Sequence, residues 1–262
     1  MMKGLFITGT DTEIGKTCIT AGLTQAYEAL GRQVTPIKSL AAGQTQRADG
    51  VWVNEDVAQL HAAQLRGMTM DEVGPLQFRA PCAPHIAARM EGRTIDRAAL
   101  LAAIRRSAAR GDFALVEGVG GFRVPLITEP PGWDTADLAV DLGLPVLMVV
   151  GLRLGCINHA LLTAEAIRAR GLRLAGWVAN TVDPHQPHVA DNLHALEQAL
   201  GLPHWGHVPR LPRERWAAPG SLDPFGGPDA QAAGAGALFC PSPAAVAAHL
   251  LQPLLLNALE AP

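Results

Sequence analysis

The stretch Gly9-Thr10-Asp11-Thr12-Glu13-Ile14-Gly15-Lys16-Thr17 constrains this chain more than any other. An apolar run, Leu5-Phe6-Ile7, precedes it, and helical patterning from Lys16 to Leu30 follows it. Strand, glycine-rich turn and helix, in that order, make a phosphate-binding loop. The turn points backbone N–H groups inward, and the helix N-terminus adds positive partial charge. In such a loop Lys16 reaches the β- and γ-phosphates of a nucleoside triphosphate, and the Thr17 hydroxyl ligates Mg²⁺. The competing reading is a chance Gly-Lys-Thr at a helix start, against which the flanking strand and helix count. The spacing is unusual. The common pattern has Gly five residues before the Gly-Lys pair, where this chain has Thr10. Asp11 and Glu13 also place two acids beside a polyanion site.

Beyond the loop, short apolar runs alternate with helical patterns. Strands are predicted at Leu5–Thr8, Val34–Lys38, Phe113–Glu117, Pro145–Val150, Leu174–Asn180 and Trp205–Val208. Continuous runs such as Val146-Leu147-Met148-Val149-Val150 suit strands buried on both faces. Helices are predicted at Lys16–Leu30, Glu55–Arg66, Arg97–Arg110, Asp134–Leu142, Asn158–Arg170 and His188–Leu200. Asn54 and Asp96 are suitable N-caps. Gly31, Gly111, Gly171 and Gly201 stand where a left-handed residue ends a helix. The pattern predicts a single α/β domain with a mostly parallel β-sheet and helices on both faces, in which ligands bind beyond the carboxyl ends of the strands.

The 262 residues fit such a domain, and 48% hydrophobic content suffices for its core. Residues 1–211 hold the pattern, and residues 212–262 read as a C-terminal extension. Within and beside that extension, Pro209–Pro228 reads as a loop, Gly226–Gly236 as a flexible segment and Ala244–Leu259 as a possible helix. Net charge is −3 with scattered basic residues, so no nucleic-acid surface is expected. The four cysteines lie far apart, against a zinc site or disulfide framework. No apolar run approaches the roughly 20 residues of a membrane span, and the first strand begins at once. A cytoplasmic protein is expected.

Further clusters sit at predicted strand ends, on the rim of the loop. Lys38 ends the second strand and can either stabilise charge on a transferred phosphoryl group or be a solvated lysine. Asp56, in a first helical turn, is either a metal ligand or a dipole partner. Glu117, ending a buried strand before Gly118-Val119-Gly120-Gly121, suits an acid that holds Mg²⁺ while the glycines let backbone approach phosphates. The run Gly155-Cys156-Ile157-Asn158-His159 opens a helix whose N–H groups suit an anion. Asn180 offers a donor and an acceptor, which fits an adenine edge or a turn equally. His85 and His159 read as structural, and Cys156 as packing.

Together these segments resemble the dethiobiotin synthetase family. The resemblance runs from Phe6 to about Leu211. It rests on Thr8–Thr17, Lys38, Ala83-Pro84-His85-Ile86, Glu117–Gly121, Gly155–Ala160 and Ala175–Asn180. It implies a homodimer using ATP and Mg²⁺ to close a ureido ring on 7,8-diaminononanoate with CO₂. It further implies that Lys16 and Lys38 are catalytic and that Thr17, Asp56 and Glu117 hold Mg²⁺. Glu13, Ile14, Gly15, Lys16, Thr17, Cys18, Gly118, Val119 and Gly120 would surround the nucleotide, with Asn180, Thr181, Pro209, Arg210 and Leu211 near its base. Thr12, Lys38 and Ala42 would face the diamine or its carbamate. Gly155, Cys156, Ile157 and Asn158 would hold the substrate carboxylate across the dimer interface.

Two positions depart from the family pattern. Ala42 stands where Ser is usual, removing a hydrogen bond worth about 1 kcal/mol. A partner tyrosine usual at the carboxylate has no counterpart, because the chain's only tyrosine, Tyr27, lies inside the first helix; Asn192 and His188 are the candidate replacements. The rival reading is a regulatory ATPase of the partition or septum-site type. Those proteins carry an extra lysine early in the loop, where this chain has Thr10-Asp11-Thr12. A second rival, an amidotransferase synthetase, needs a glutaminase domain for which too few residues follow Leu211.

Overall fold

The computed structural model describes residues 2–211, 242–251 and 254–256. The chain runs through β1 (Gly4–Gly9), α1 (Lys16–Ala29), β2 (Val34–Lys38), β3 (Ala41–Ala42), β4 (Thr45–Gln46), β5 (Trp52–Val53), α2 (Glu55–Ala63), α3 (Met70–Val73), β6 (Gln77–Phe78) and α4 (Pro84–Met90). It continues with α5 (Arg97–Ala108), β7 (Phe113–Glu117), β8 (Pro125–Ile127), β9 (Trp133–Asp134), α6 (Thr135–Leu142), β10 (Val146–Leu152), α7 (Cys156–Ala169), β11 (Leu174–Thr181), α8 (Val189–Leu200), β12 (His204–Val208) and α9 (Pro243–Ala247).

Six strands form one parallel sheet in the order β12-β11-β10-β1-β7-β2. Side chains alternate between its faces. Leu5 and Ile7 pack into one core with Leu115, Leu147 and Val149. Phe6 points the other way, into a larger core with Val116, Met148 and Val150. Helix α1 covers the first face through Ile19, Leu23 and Tyr27, joined by Val246 of α9. Leu60 of α2, Ile104 of α5, Leu138 of α6 and Ala160 of α7 cover the second. This double cover explains the continuous apolar runs of the central strands.

The six main strands and six main helices fall where the sequence places them, with shifted ends. Helix α2 stops at Ala63 rather than Arg66, because the Gln64 side chain accepts from the backbone N–H of Arg66 at 2.6 Å and of Met68 at 3.3 Å and folds the chain into a turn. Helix α7 begins at Cys156, two residues early, after Gly155 with φ 92°. Asp134 is the cap of α6 rather than its first residue, sharing a reciprocal capping box with Asp137. Asn54 and Asp96 do cap α2 and α5. Gly111 is not left-handed; it is glycine because a Cβ there would sit 2.1 Å from the Gln33 carbonyl oxygen.

Four-residue α3, helix α4 and the two- or three-residue strands β3 to β6, β8 and β9 were not expected. The predicted helix Ala244–Leu259 is corrected. Ser242 caps α9 and Pro243 opens it, but that helix ends at Ala247; residues 254–256 are helical again, and 252–253 and 257–259 lie outside the described residues. The chain then pairs with the sheet edge: Gly206 bridges Leu250, and the Leu251 N–H donates to the Trp205 carbonyl at 2.6 Å. The loop reading of Pro209–Pro228 lies outside the described residues beyond Leu211, and that of Gly226–Gly236 does so entirely. Among the described residues no helix is long and apolar enough to cross a membrane.

Candidate active site

A cavity of about 1000 Å³ opens over the carboxyl ends of the strands. The loop between β1 and α1 forms its floor. Gly15 has φ 84°, and a Cβ there would lie 2.3 Å from the Asn180 amide nitrogen, so only glycine fits. Glu13 takes a left-handed φ of 57°, a conformation costly for a side-chain-bearing residue and typical of functional turns. The Asn180 amide N–H donates to the Ile14 carbonyl at 2.8 Å and ties the loop to β11.

The two loop acids are resolved differently. Asp11 faces Arg153 in an ion pair and also accepts the Thr12 N–H at 2.7 Å, so its charge is already partnered. Glu13 lines the cavity. Lys16 is buried, and its ammonium donates to the Asp11 carbonyl at 2.8 Å. Desolvation, with the nearby Lys38 charge, lowers its pKa to about 8.

The sheet register places the acid and the second lysine together, because Lys38 of β2 stands opposite Glu117 of β7. The Lys38 ammonium lies 2.7 Å from Glu117 Oε1 and 2.6 Å from Asp56 Oδ2. The Thr17 hydroxyl donates to the same Glu117 oxygen at 2.8 Å. Burial alone would lower the pKa of Lys38, but the two carboxylates outweigh it and raise the value. Burial likewise pushes Asp56 up, and Lys38 outweighs that and holds it down. Lys38 is thus a permanent cation bridging two acids.

Glu117 is fully buried, and its second oxygen, Oε2, has no hydrogen-bond partner. Leaving a buried carboxylate oxygen unpaired is costly, and a cation beside Thr17 and Asp56 would satisfy it. Mg²⁺ typically takes one or two carboxylates and completes its shell with water and substrate phosphates. Two acids and a hydroxyl therefore fit it, although the described residues contain no group of three or more His, Cys, Asp or Glu able to hold a metal ion.

Of the residues singled out in the sequence, Thr12, Glu13, Gly15, Lys16, Thr17, Cys18, Lys38, Ala42, Asp56, Val119, Gly120, Asn180, Thr181, Pro209, Arg210 and Leu211 line the cavity. Ile14, Glu117 and Gly118 are buried and do not. Gly155, Cys156, Ile157 and Asn158 also lie outside its lining; Gly155 and Asn158 are exposed and Cys156 is buried. The α7 start has no capping side chain. His188 is exposed and Asn192 half-buried at the start of α8, and neither lines the cavity. Tyr27 is fully buried against Phe113.

Sequence reasoning missed Arg153 and the wall formed by Glu55, Gln59 and Pro81 to Pro84. The Ala83-Pro84-His85-Ile86 motif signalled that wall without saying what it does. Its α4 is held by the His85 ring, whose Nδ1 lies 3.1 Å from the Pro125 carbonyl.

A parallel sheet with this loop, a buried lysine and a Thr–Glu pair at its strand ends defines a P-loop nucleotide-binding protein. Solved structures share the fold at low identity. A ParA family ATPase from Chlorobium tepidum is 16% identical with a TM-score of 0.50, covering 99% of this chain and 100% of that one. The septum site-determining protein MinD from Pyrococcus horikoshii, complexed with Mg-ADP, is 15% identical with a TM-score of 0.50, covering 99% and 97%. A family model described as an AAA domain matches residues 3–217. The ATP-dependent dethiobiotin synthetase BioD of Aromatoleum aromaticum is 51% identical over 209 residues, 80% of this chain and 91% of the relative. That of Ralstonia nicotianae is 50% identical over 208 residues, 79% and 89%. The chain belongs to the ATP-dependent dethiobiotin synthetase family.

Proposed function

We propose that this protein closes the ureido ring of dethiobiotin from 7,8-diaminononanoate, CO₂ and ATP, releasing ADP and phosphate in biotin biosynthesis. One observation carries the proposal within the site: Lys16, Thr17, Lys38 and Asp56 line a cavity of about 1000 Å³, and the buried Glu117 is bonded to Lys38 and Thr17 behind that lining. One amine adds to CO₂ and loses a proton, giving a carbamate. A carbamate oxygen attacks the γ-phosphorus and ADP leaves. The second amine attacks the carbamoyl carbon, and phosphate leaves as the ring closes.

Carbamate and γ-phosphate are both anions, so their approach needs fixed cations. Lys38, held charged by its two carboxylates, supplies one beside Thr12 and Ala42 on the diamine side. Lys16 supplies another from the loop and gains its proton firmly once the phosphates arrive. Thr17, Asp56 and Glu117 would hold Mg²⁺. When bound, that ion would neutralise phosphate charge and orient the γ-phosphoryl group. Glu13 and the Gly118–Gly120 turn shape the phosphate site, while Asn180, Thr181 and Pro209 to Leu211 take the base.

Gly155 to Asn158 would serve the carboxylate of the substrate bound by a second copy, making the homodimer the working unit. Ala42 removes one substrate hydrogen bond, and no residue of the described chain supplies the usual tyrosine contact from within the cavity. Residues 1–211 form the synthetase domain of a cytoplasmic enzyme, and the extension returns to brace it, Val246 of α9 lying against Gly22 of α1. The test is phosphate release from Mg-ATP and bicarbonate. Turnover is expected only when the diamine is present; equal turnover without it would overturn the proposal.

A further inference from the structure

The two acids that suit Mg²⁺ are already bonded to a cation of the chain's own. The Lys38 ammonium lies 2.6 Å from Asp56 Oδ2 and 2.7 Å from Glu117 Oε1, and the Thr17 hydroxyl donates to that same Glu117 oxygen. A carboxylate oxygen has about two lone-pair sites, so Glu117 Oε1 is filled. An ion that takes the unpartnered Glu117 Oε2 and draws on Asp56 therefore comes within contact range of the ammonium. The lysine has little room to withdraw. Its strand is fixed against β7 by Ser39, whose N–H and hydroxyl donate to the Glu117 carbonyl at 2.9 and 2.8 Å. The Lys38 and Glu117 side chains are 4% and 0% exposed, whereas that of Asp56 is 39% exposed and lines the cavity. The Asp56 contact is the one a hydrated ion can open.

Charge decides which ion can open it. Two carboxylates here face two ammoniums, because Lys16 lies close enough to feel Lys38, Glu117 and Asp56 together. Asp11, the other acid near Lys16, is paired with Arg153. Glu13 and Glu55 line the cavity without pairing with either lysine among the described residues. The group is close to neutral as it stands. A free divalent cation would add two charges beside two ammoniums, a repulsion well above RT even at an effective dielectric of about 20. The same ion on a di- or triphosphate arrives with net negative charge and is attracted. Phosphates also bring the oxygens that one hydroxyl and two acids do not supply.

We propose that Lys38 is a resident counter-cation that shuts the Asp56–Glu117 pair to a free divalent ion and gives up Asp56 only to one carried in by phosphates. The lysine thereby enforces an order. Metal and nucleotide enter as one body, and the ammonium displaced from Asp56 is then free to face the second anion of the reaction. A metal site lies latent beneath it and opens when the ammonium alone is removed. The inference rests on the proposed function only for that second anion; a divalent ion and ADP suffice to test it.

The test follows Mn²⁺, which shares the octahedral oxygen preference of Mg²⁺, through the paramagnetic resonance signal of the free ion, at pH 7 on the full-length protein. The unaltered protein should bind Mn²⁺ weakly alone and more tightly once ADP is bound. Lys38→Met, which removes the charge and keeps the length, should bind Mn²⁺ without nucleotide at least about thirtyfold more tightly than the unaltered protein. Lys38→Arg keeps the cation and should show no such gain, and Asp56→Asn added to Lys38→Met should abolish it. Mg²⁺ should raise the melting temperature of Lys38→Met and leave that of the unaltered protein where it is. No gain in Lys38→Met, or an equal gain in Lys38→Arg, overturns the inference. So does Mn²⁺ binding by the unaltered protein that is as tight without ADP as with it, a measurement that needs no variant. Absence of diamine-dependent turnover would sink the synthetase reading alone and leave these results standing.

Discussion

The two flanks of the phosphate loop are built from opposite materials. On the β7–β2 side, Lys38, Asp56 and Glu117 form a network of full charges around one fully buried carboxylate. On the β11–β12 side, Asn180, Thr181 and His207 are uncharged and linked by neutral hydrogen bonds. The same strand-end rim carries both. Charge belongs where charge develops during reaction, because preorganised cations stabilise a developing anion without reorganising. Neutral groups belong where identity is read, because a directional donor or acceptor rejects the wrong partner and an ion does not. The loop between them takes part in both: Lys16 feels the Lys38 charge, and Ile14 holds the Asn180 amide.

The largest break between the flanks should come from Lys38→Ala. Ring closure should fall at least about a hundredfold, while ADP still binds. The apo protein should also lose about 3 kcal/mol of stability, because Glu117 is left buried without its cation. Steady-state kinetics and urea unfolding measure the two effects. Near-normal turnover would remove Lys38 from the chemistry, and unchanged stability would mean that Glu117 does not depend on it.

A smaller effect reports on the loop itself. Lys16 has a pKa of about 8 in the free protein, lowered by burial and by Lys38. A bound polyphosphate brings negative charge and raises it. At pH 8 the free lysine is about half protonated, so binding ADP should take up about half a proton. Calorimetry in buffers of different ionisation enthalpy reads that uptake directly. Uptake should vanish near pH 6, where Lys16 is already protonated in both states once the nucleotide's own titration is subtracted. Buffer-independent heats at pH 8 would contradict the assignment.

The charged flank was legible in the sequence and the neutral one much less so. Lys38 and Glu117 each end an apolar run, and a parallel sheet brings strand ends to one rim whatever the register. The residue pair itself needed the Lys38–Glu117 register, which no local pattern states. Arg153 was invisible because its partner, Asp11, lies 142 residues away: Asp11 stood out as an acid in the loop, but nothing local said which cation meets it. His207 was hidden similarly: it reads as an alternating strand residue, and only the pairing of β11 with β12 brings it to Thr181. The short strands β3 to β6 carry two residues each, too few for a period to show. Asn180 was ambiguous between turn and base contact. One amide N–H ties the loop to β11, and the side chain also lines the cavity.

The central claim is that phosphate released by this protein comes from a phosphorylated carbamate and not from water attacking ATP. Those routes differ in one atom. A carbamate oxygen that has attacked the γ-phosphorus leaves with it when the ring closes. With CO₂ and bicarbonate labelled with heavy oxygen, in unlabelled water and with turnover faster than label exchange, mass spectrometry should find one heavy oxygen in each phosphate released, in step with ring product. Unlabelled phosphate, or phosphate formed without ring product, would contradict the account.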